Sequence, residues 1–136
     1  MSEPEPYFTI SLRIWHPTYS SESIIAAIGL TARFAYDAGM PRATPAGEAL
    51  EGTYPETYCS FPLLQKVPGN FVTGIHTLMP TLRKFHSYLK EIDESGGRSE
   101  LFIGVFVESS SGFVLGVDEM RELAHLSIRL SVEYYF

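Results

Sequence analysis

Along residues 7–15 the side chains alternate, with Phe8, Ile10, Leu12 and Ile14 on one side and Thr9, Ser11, Arg13 and Trp15 on the other. A period of two predicts a strand with one face committed to a core. His16-Pro17 ends it, because proline has no donor for the ladder. The polar run Ser20, Ser21, Glu22, Ser23 then offers an N-cap to a short helix carrying Ile24, Ile25, Ala27 and Ile28, which stops at Gly29. Beyond it, Gly39, Pro41, Pro45, Gly47, Gly52, Pro55 and Pro62 are too densely spaced for a long helix. The pattern predicts strands over 31–36 and 54–61, with a glycine-punctuated excursion between them. Asn70 caps a helix bearing Phe71, Ile75, Leu78 and Leu82. Pro80 predicts a kink or a break, followed by a second helical segment over 81–95 with the stripe Leu82, Phe85, Leu89 and Ile92.

After Gly96-Gly97, residues 101–108 are apolar on both sides of the alternation, which predicts a strand inside a sheet. Ser109, Ser110, Ser111 and Gly112 make a turn, residues 113–115 pair briefly, and Asp118 caps a helix with Met120, Leu123 and Ala124. Ile128, Leu130, Val132, Tyr134 and Phe136 alternate to the end as a last strand. The order suits an α+β fold: a mostly antiparallel sheet of five or six strands with helices packed on one face, ferredoxin-like in outline.

Composition narrows the partners. The 136 residues, 45% hydrophobic and 19% charged, make one domain over 1–136, with residues 1–6 expected as a flexible N-terminal tail. Ten basic against sixteen acidic side chains leave a formal charge of -6, which excludes the general field that draws in nucleic acid. No apolar run approaches the roughly 20 residues that cross a bilayer, so no membrane association is expected. The single cysteine, Cys59, cannot form an internal disulfide and reads as a half-buried small hydrophobe. Residues 1–6 lack the basic start and apolar stretch of a secretory signal, so a cytoplasmic location is expected.

Candidate chemistry is sparse. His16, His76, His86 and His125 show no pairing at helical spacing, and no close cysteine or carboxylate completes a metal set, so neither metal nor cofactor is expected. Gly-x-Ser-x-Gly and the phosphate-binding glycine loops are absent, which disfavours an enzyme. Two features remain. Arg42 is the only base between Arg33 and Lys66, amid Asp37, Glu48, Glu51 and Glu56. It either anchors a rigid Ω-type loop through Glu48 or Glu56 or presents its fork to an anion. The second feature is the sheet face turned from the helices, which gathers Arg13, Trp15, Phe102, Phe106, Arg129 and Tyr135. Apolar surface there costs roughly 25 cal/mol per Å² in water and calls for cover by the middle loop, a second subunit or a ligand.

The punctuation itself is specific: Gly39, Arg42, Thr44-Pro45-x-Gly47, Leu50-x-Gly52 and Tyr58, downstream of Ser11-Leu12-Arg13 and His16-Pro17, with Leu123-Ala124 and Tyr134-Tyr135 at the other end. From Phe8 to Tyr135 the chain resembles the bacterial family catalogued as domain of unknown function 4279. The resemblance implies a small intracellular domain and no established activity. Members of that family carry a tryptophan close to the position where this chain has Tyr58-Cys59-Ser60-Phe61, so a site lined by that tryptophan would differ here.

Two function classes follow. The favoured one is a non-enzymatic cytoplasmic module that binds a protein partner, in its most specific form an immunity-like acidic domain opposing a basic toxin, or that pairs as a homodimer. The alternative is a small-molecule-binding domain or enzyme whose pocket joins Arg42, Tyr58 and His16. Convergence of those three side chains discriminates between the two.

Overall fold

A computed structural model describes residues 5–136; the expected tail therefore lies mostly outside the described residues. Strand β1 (Tyr7–His16) is followed by helix α1 (Ser21–Ile28), a short strand β2 (Phe34–Tyr36), the hairpin strands β3 (Pro41–Ala43) and β4 (Ala49–Thr53), and the long strand β5 (Thr57–Pro68). Helices α2 (Phe71–Arg83) and α3 (His86–Glu94), strand β6 (Arg98–Phe106), helix α4 (Val117–His125) and strand β7 (Ile128–Tyr135) complete the chain. The main sheet has the order β2-β5-β1-β6-β7, with β3 and β4 forming a separate two-stranded sheet. The protein is an α+β domain with a mixed sheet. No helix of the described residues is long and apolar enough to cross a membrane.

Strand β1 sits at the centre, antiparallel to β5 and to β6. The connections from β1 through α1 to β2 and from β5 through α2 and α3 to β6 each return the chain parallel to its start with one strand left between, so two split β-α-β units interleave. Strand β7 lies beside β6 and runs parallel to it, which requires the crossover that α4 supplies. The period-two pattern predicts the strand but not this direction.

Every second residue of β1 is buried: Phe8, Ile10, Leu12, Ile14 and His16. They form one core with Cys59 and Phe61 of β5, Leu101 and Ile103 of β6, and the inner stripes of the helices, including Ile24, Ile75, Leu82, Leu89, Ile92 and Leu123. Gly74 lets α2 lie directly on Phe8, since a methyl group there would come within 2.6 Å of the phenyl ring. The helix stripes and the even-numbered face of β1 thus share one hydrophobic layer.

Several boundaries depart from the sequence expectation. Strand β5 does not stop at Pro62 but continues to Pro68; a register shift opposite Ile10 and Ser11 absorbs the proline, and β2 has already left that edge. Helix α2 passes through Pro80 and breaks four residues later. Lys84 and Phe85 there donate to Thr81 and Leu82, tightening the last turn. Helix α4 is capped by Gly116 rather than Asp118, which instead stands in the first turn with Glu119, where the helix dipole favours negative charge. The middle excursion is a β-hairpin and not an Ω-type loop. Its turn is closed by Gly47 donating to the Thr44 carbonyl (2.8 Å) and Thr44 to that of Glu48 (2.8 Å), and Gly47 takes φ +88°.

Candidate functional site

Because β1 is central and its odd-numbered side chains point away from the helices, the pairing registers lay out the opposite face row by row. One row holds Tyr36, Tyr58, Trp15 and Arg98. The next holds Phe34, Ser60, Arg13, Glu100 and Arg129, crossing all five strands. The row beyond holds Pro62, Ser11, Phe102 and Ser131, and the far end holds Tyr7, Phe106 and Tyr135. The face thus has an aromatic row at each end and a polar, charged middle.

The aromatic ends are internally ordered. Phe106 is stacked between Tyr7 and Tyr135, with ring centroids 4.6 and 4.8 Å apart. At the other end Tyr54 of the hairpin stacks on Tyr36 at 3.6 Å, Tyr36 leans on Tyr58, and Tyr58 leans on Trp15. The Arg98 guanidinium lies 4.4 Å from the Trp15 ring and makes a bidentate contact with Glu56, both bonds 2.9 Å. Burial among these rings, with Tyr54 and Tyr58 beside it, raises the Tyr36 pKa, against a smaller opposing effect of the Arg42 charge.

Between the aromatic ends lies a cleft of about 240 Å³, lined by Thr9, Ser11, Arg13, Arg33, Phe34, Tyr58, Ser60, Leu64, Gln65 and Phe102. Its two charges are both guanidiniums. The Arg13 guanidinium lies over Phe102, 3.8 Å from the ring centre, and reaches Glu100 through one long contact of 3.5 Å. Arg33 has no carboxylate partner among the described residues; its backbone N–H donates to the Ser60 carbonyl at 2.7 Å, which holds the start of β2 over the cleft. Ser60 is only 6% exposed, whereas the Phe34 ring beside it is 49% exposed. A second cavity, of about 220 Å³ beside Tyr7, Phe106 and Tyr135, has Glu5 and Glu108 in its lining and no basic group.

The six residues expected on this face, Arg13, Trp15, Phe102, Phe106, Arg129 and Tyr135, all lie on it. The pocket drawn from Arg42, Tyr58 and His16 is not assembled. His16 is fully buried on the helix side, opposite in parity to Trp15 and Arg13. Its Nδ1 accepts from the N–H groups of Thr18 (3.0 Å) and Tyr19 (2.9 Å), and its Nε2 meets Ser95 Oγ at 2.8 Å, so its polar atoms are spent on the turn after β1. Burial is the main cause that lowers its pKa, with the Glu91 charge opposing. Arg42 is exposed on β3 and donates to the Glu51 carbonyl at 3.3 Å; neither Glu48 nor Glu56 holds it, since Glu56 is engaged by Arg98. Only Tyr58 of the three reaches the cleft.

Other chemistry-bearing groups are dispersed. Among the described residues no three metal-capable side chains gather. Cys59 is buried against α1, where loss of solvent pushes its thiol up to about 11. His86 and His125, distant in sequence, stack at 4.5 Å between α3 and α4, a contact no spacing rule within one helix finds. The missed cleft residues are Arg33, Phe34, Ser60, Leu64 and Gln65. Parity along β5 places Ser60 with Tyr58, but the approach of Arg33 depends on where the three-residue strand β2 docks.

No family model matches the chain, and no curated protein and no solved structure is found similar to it.

Proposed function

We propose that this domain is a non-enzymatic binding module whose working surface is the sheet face away from the helices. One observation carries the reading: among the described residues no element covers that face, although it bears an aromatic row at each end and arginines between them. The hairpin that might have roofed it stays exposed at the β2 edge, touching the face through Tyr54 on Tyr36. Tyrosine, tryptophan and arginine are the side chains that recognition surfaces favour. The frame is read as ferredoxin-like, supported by the interleaved split units. Kinship with the family of domain of unknown function 4279 is proposed on the turn residues Gly39, Thr44, Pro45, Gly47 and Gly52, which build and flank the hairpin.

The charge of this face bears on the partner. Arg13, Arg33, Arg98 and Arg129 stand there beside Glu100 and Glu133, and Glu56 holds Arg98, so the face as a whole is close to neutral and its excess of positive charge is confined to the cleft at Arg13 and Arg33. An anionic ligand suits that cleft. Self-association is a second reading, favoured by the unpaired outer edge of β7 and by Phe136, 89% exposed beside it. Sedimentation velocity decides it: a monomer across the accessible concentration range removes the homodimer.

Trp15, the sole tryptophan, stands in the face and reports on it. Fragments that raise the melting temperature are expected to change Trp15 emission. Hits that stabilise the protein yet leave that emission unaltered would place the binding surface elsewhere and overturn the reading.

A further inference from the structure

We propose that the cleft between β1, β5 and the start of β2 binds a small organic carboxylate with an apolar body. This rests on the open face being a binding surface and names the ligand class for it. In a chain of net charge -6, a cleft lined by two guanidiniums and no carboxylate is a local inversion of sign. Two like charges turned to one concavity repel each other, and an anion between them converts that repulsion into two attractions. Arg33 has no carboxylate partner among the described residues, its guanidinium lying 5.3 Å from the Phe34 ring centre, and Arg13 is neutralised only by the long Glu100 contact. The hydroxyls of Thr9, Ser11, Tyr58 and the buried Ser60, with the Gln65 amide, supply further donors in the same lining.

The walls specify the rest of the ligand. Phe34, Leu64 and Phe102 form the apolar part of the lining, and the half-exposed Phe34 ring gains burial when a hydrocarbon body lies against it. The anion is a carboxylate and not a phosphate, because the donors are side chains of strands. The backbone N–H groups of β1 are committed to two ladders, and the helices pack on the other side, so no helix N-terminus of the kind that cradles phosphate is turned into the cleft. The planar arginine fork matches a planar carboxylate. The volume lies below the roughly 300–1,000 Å³ of drug-sized pockets, so the ligand is a small acid.

The test is a titration of the full chain with benzoate, followed by two-dimensional amide NMR, beside benzamide, phenyl phosphate and the variant Arg33→Gln. Benzoate is expected to saturate in the millimolar range with shifts centred on Ser11, Arg13, Phe34 and Ser60. Benzamide, lacking the charge, is expected to bind roughly tenfold more weakly or worse. Arg33→Gln is expected to weaken benzoate by roughly tenfold while leaving the melting temperature unchanged, since Arg33 is exposed. Equal binding of benzamide, indifference to Arg33→Gln, or tighter binding of phenyl phosphate overturns the carboxylate assignment. Absence of benzoate binding, with other fragments still altering Trp15 emission, overturns the cleft proposal and leaves the surface reading standing. Ligand shifts confined to the helices overturn both.

Discussion

On the covered side of the sheet Leu12 is sealed among helices, whereas one residue earlier in the same strand Ser11 opens onto a cleft. The two sides share backbone, register and twist, yet they are chemically opposite. The covered side is aliphatic and phenyl, with His16 and Thr57 hydrogen-bonded and the Ser99 hydroxyl buried without a partner among the described residues; the open side is ringed by tyrosines and centred on arginines. The difference teaches where each kind of free energy resides. Burial of the even-numbered residues of β1 and of the side chains that pair with them holds the domain together, and the odd-numbered residues of β1 are free to be selected for contact with something else.

The sharpest way to break that comparison is to truncate neighbours. Leu12→Ala is expected to cost about 2–5 kcal/mol in urea denaturation, because it leaves a cavity in a closed core. Ser11→Ala is expected to stay within about 0.5 kcal/mol. A comparable loss from both would mean that the open side is structural after all.

Next in size is Gly97→Ala. A methyl at Gly97 would lie 2.5 Å from the Trp15 carbonyl oxygen, 2.8 Å from the His16 ring and 2.9 Å from Ile92, and the backbone oxygen cannot move aside. The expected cost is about 1–3 kcal/mol by thermal or chemical unfolding. Gly112→Ala, which has open space around it, is the matched control and is expected to change stability little.

How far these contrasts were legible in the sequence depends on the range of the interaction that sets them. The parity of β1 is local, so its core residues and the opposite side could be assigned from alternation alone. The same parity puts His16 with Ile14, on the covered side, a signal that the presence of a titratable ring at a strand end obscured. Alternation alone ends β5 before Pro62, because the bulge that accommodates the proline depends on the neighbouring strand. The parallel direction of β7 and the placing of Arg33 over Ser60 are decided by packing between elements far apart in the chain, where no periodicity reports. Tyr58, Arg13, Phe102 and, by parity along β5, Ser60 of the cleft were therefore within reach, and Arg33 and Gln65 were not.

A pH titration probes the covered side at its most polar point. With the His16 pKa held below the ordinary 6.5, the unfolded chain takes up a proton before the folded one does. Stability is expected to be unaffected by this group above that pH and to fall as pH drops below 6.5 toward the lowered folded-state value. Protonation of Nδ1 would also set a proton against the Thr18 and Tyr19 N–H groups. His16→Asn, which keeps an acceptor for them, is expected to lose this part of the pH dependence; an unchanged slope in the variant would assign it to other histidines.

The smallest expected effect runs the other way. The Tyr88 hydroxyl is buried without a partner, and burial pushes its pKa up to about 12. Tyr88→Phe removes that unsatisfied group and is expected to leave stability unchanged or raise it by about 1 kcal/mol. A loss of more than that would reveal a partner for the hydroxyl.

The division of labour between the two sides is tested most directly by mapping amide NMR shifts for every hit of an unbiased fragment screen containing acids, bases and neutral compounds. Acids are expected to dominate the hits, with shifts gathered on the rows running from Phe34 through Ser60 and Arg13 and from Pro62 through Ser11 and Phe102. Hits that show no preference for acids, with shifts gathered on α1 to α4, would contradict that division.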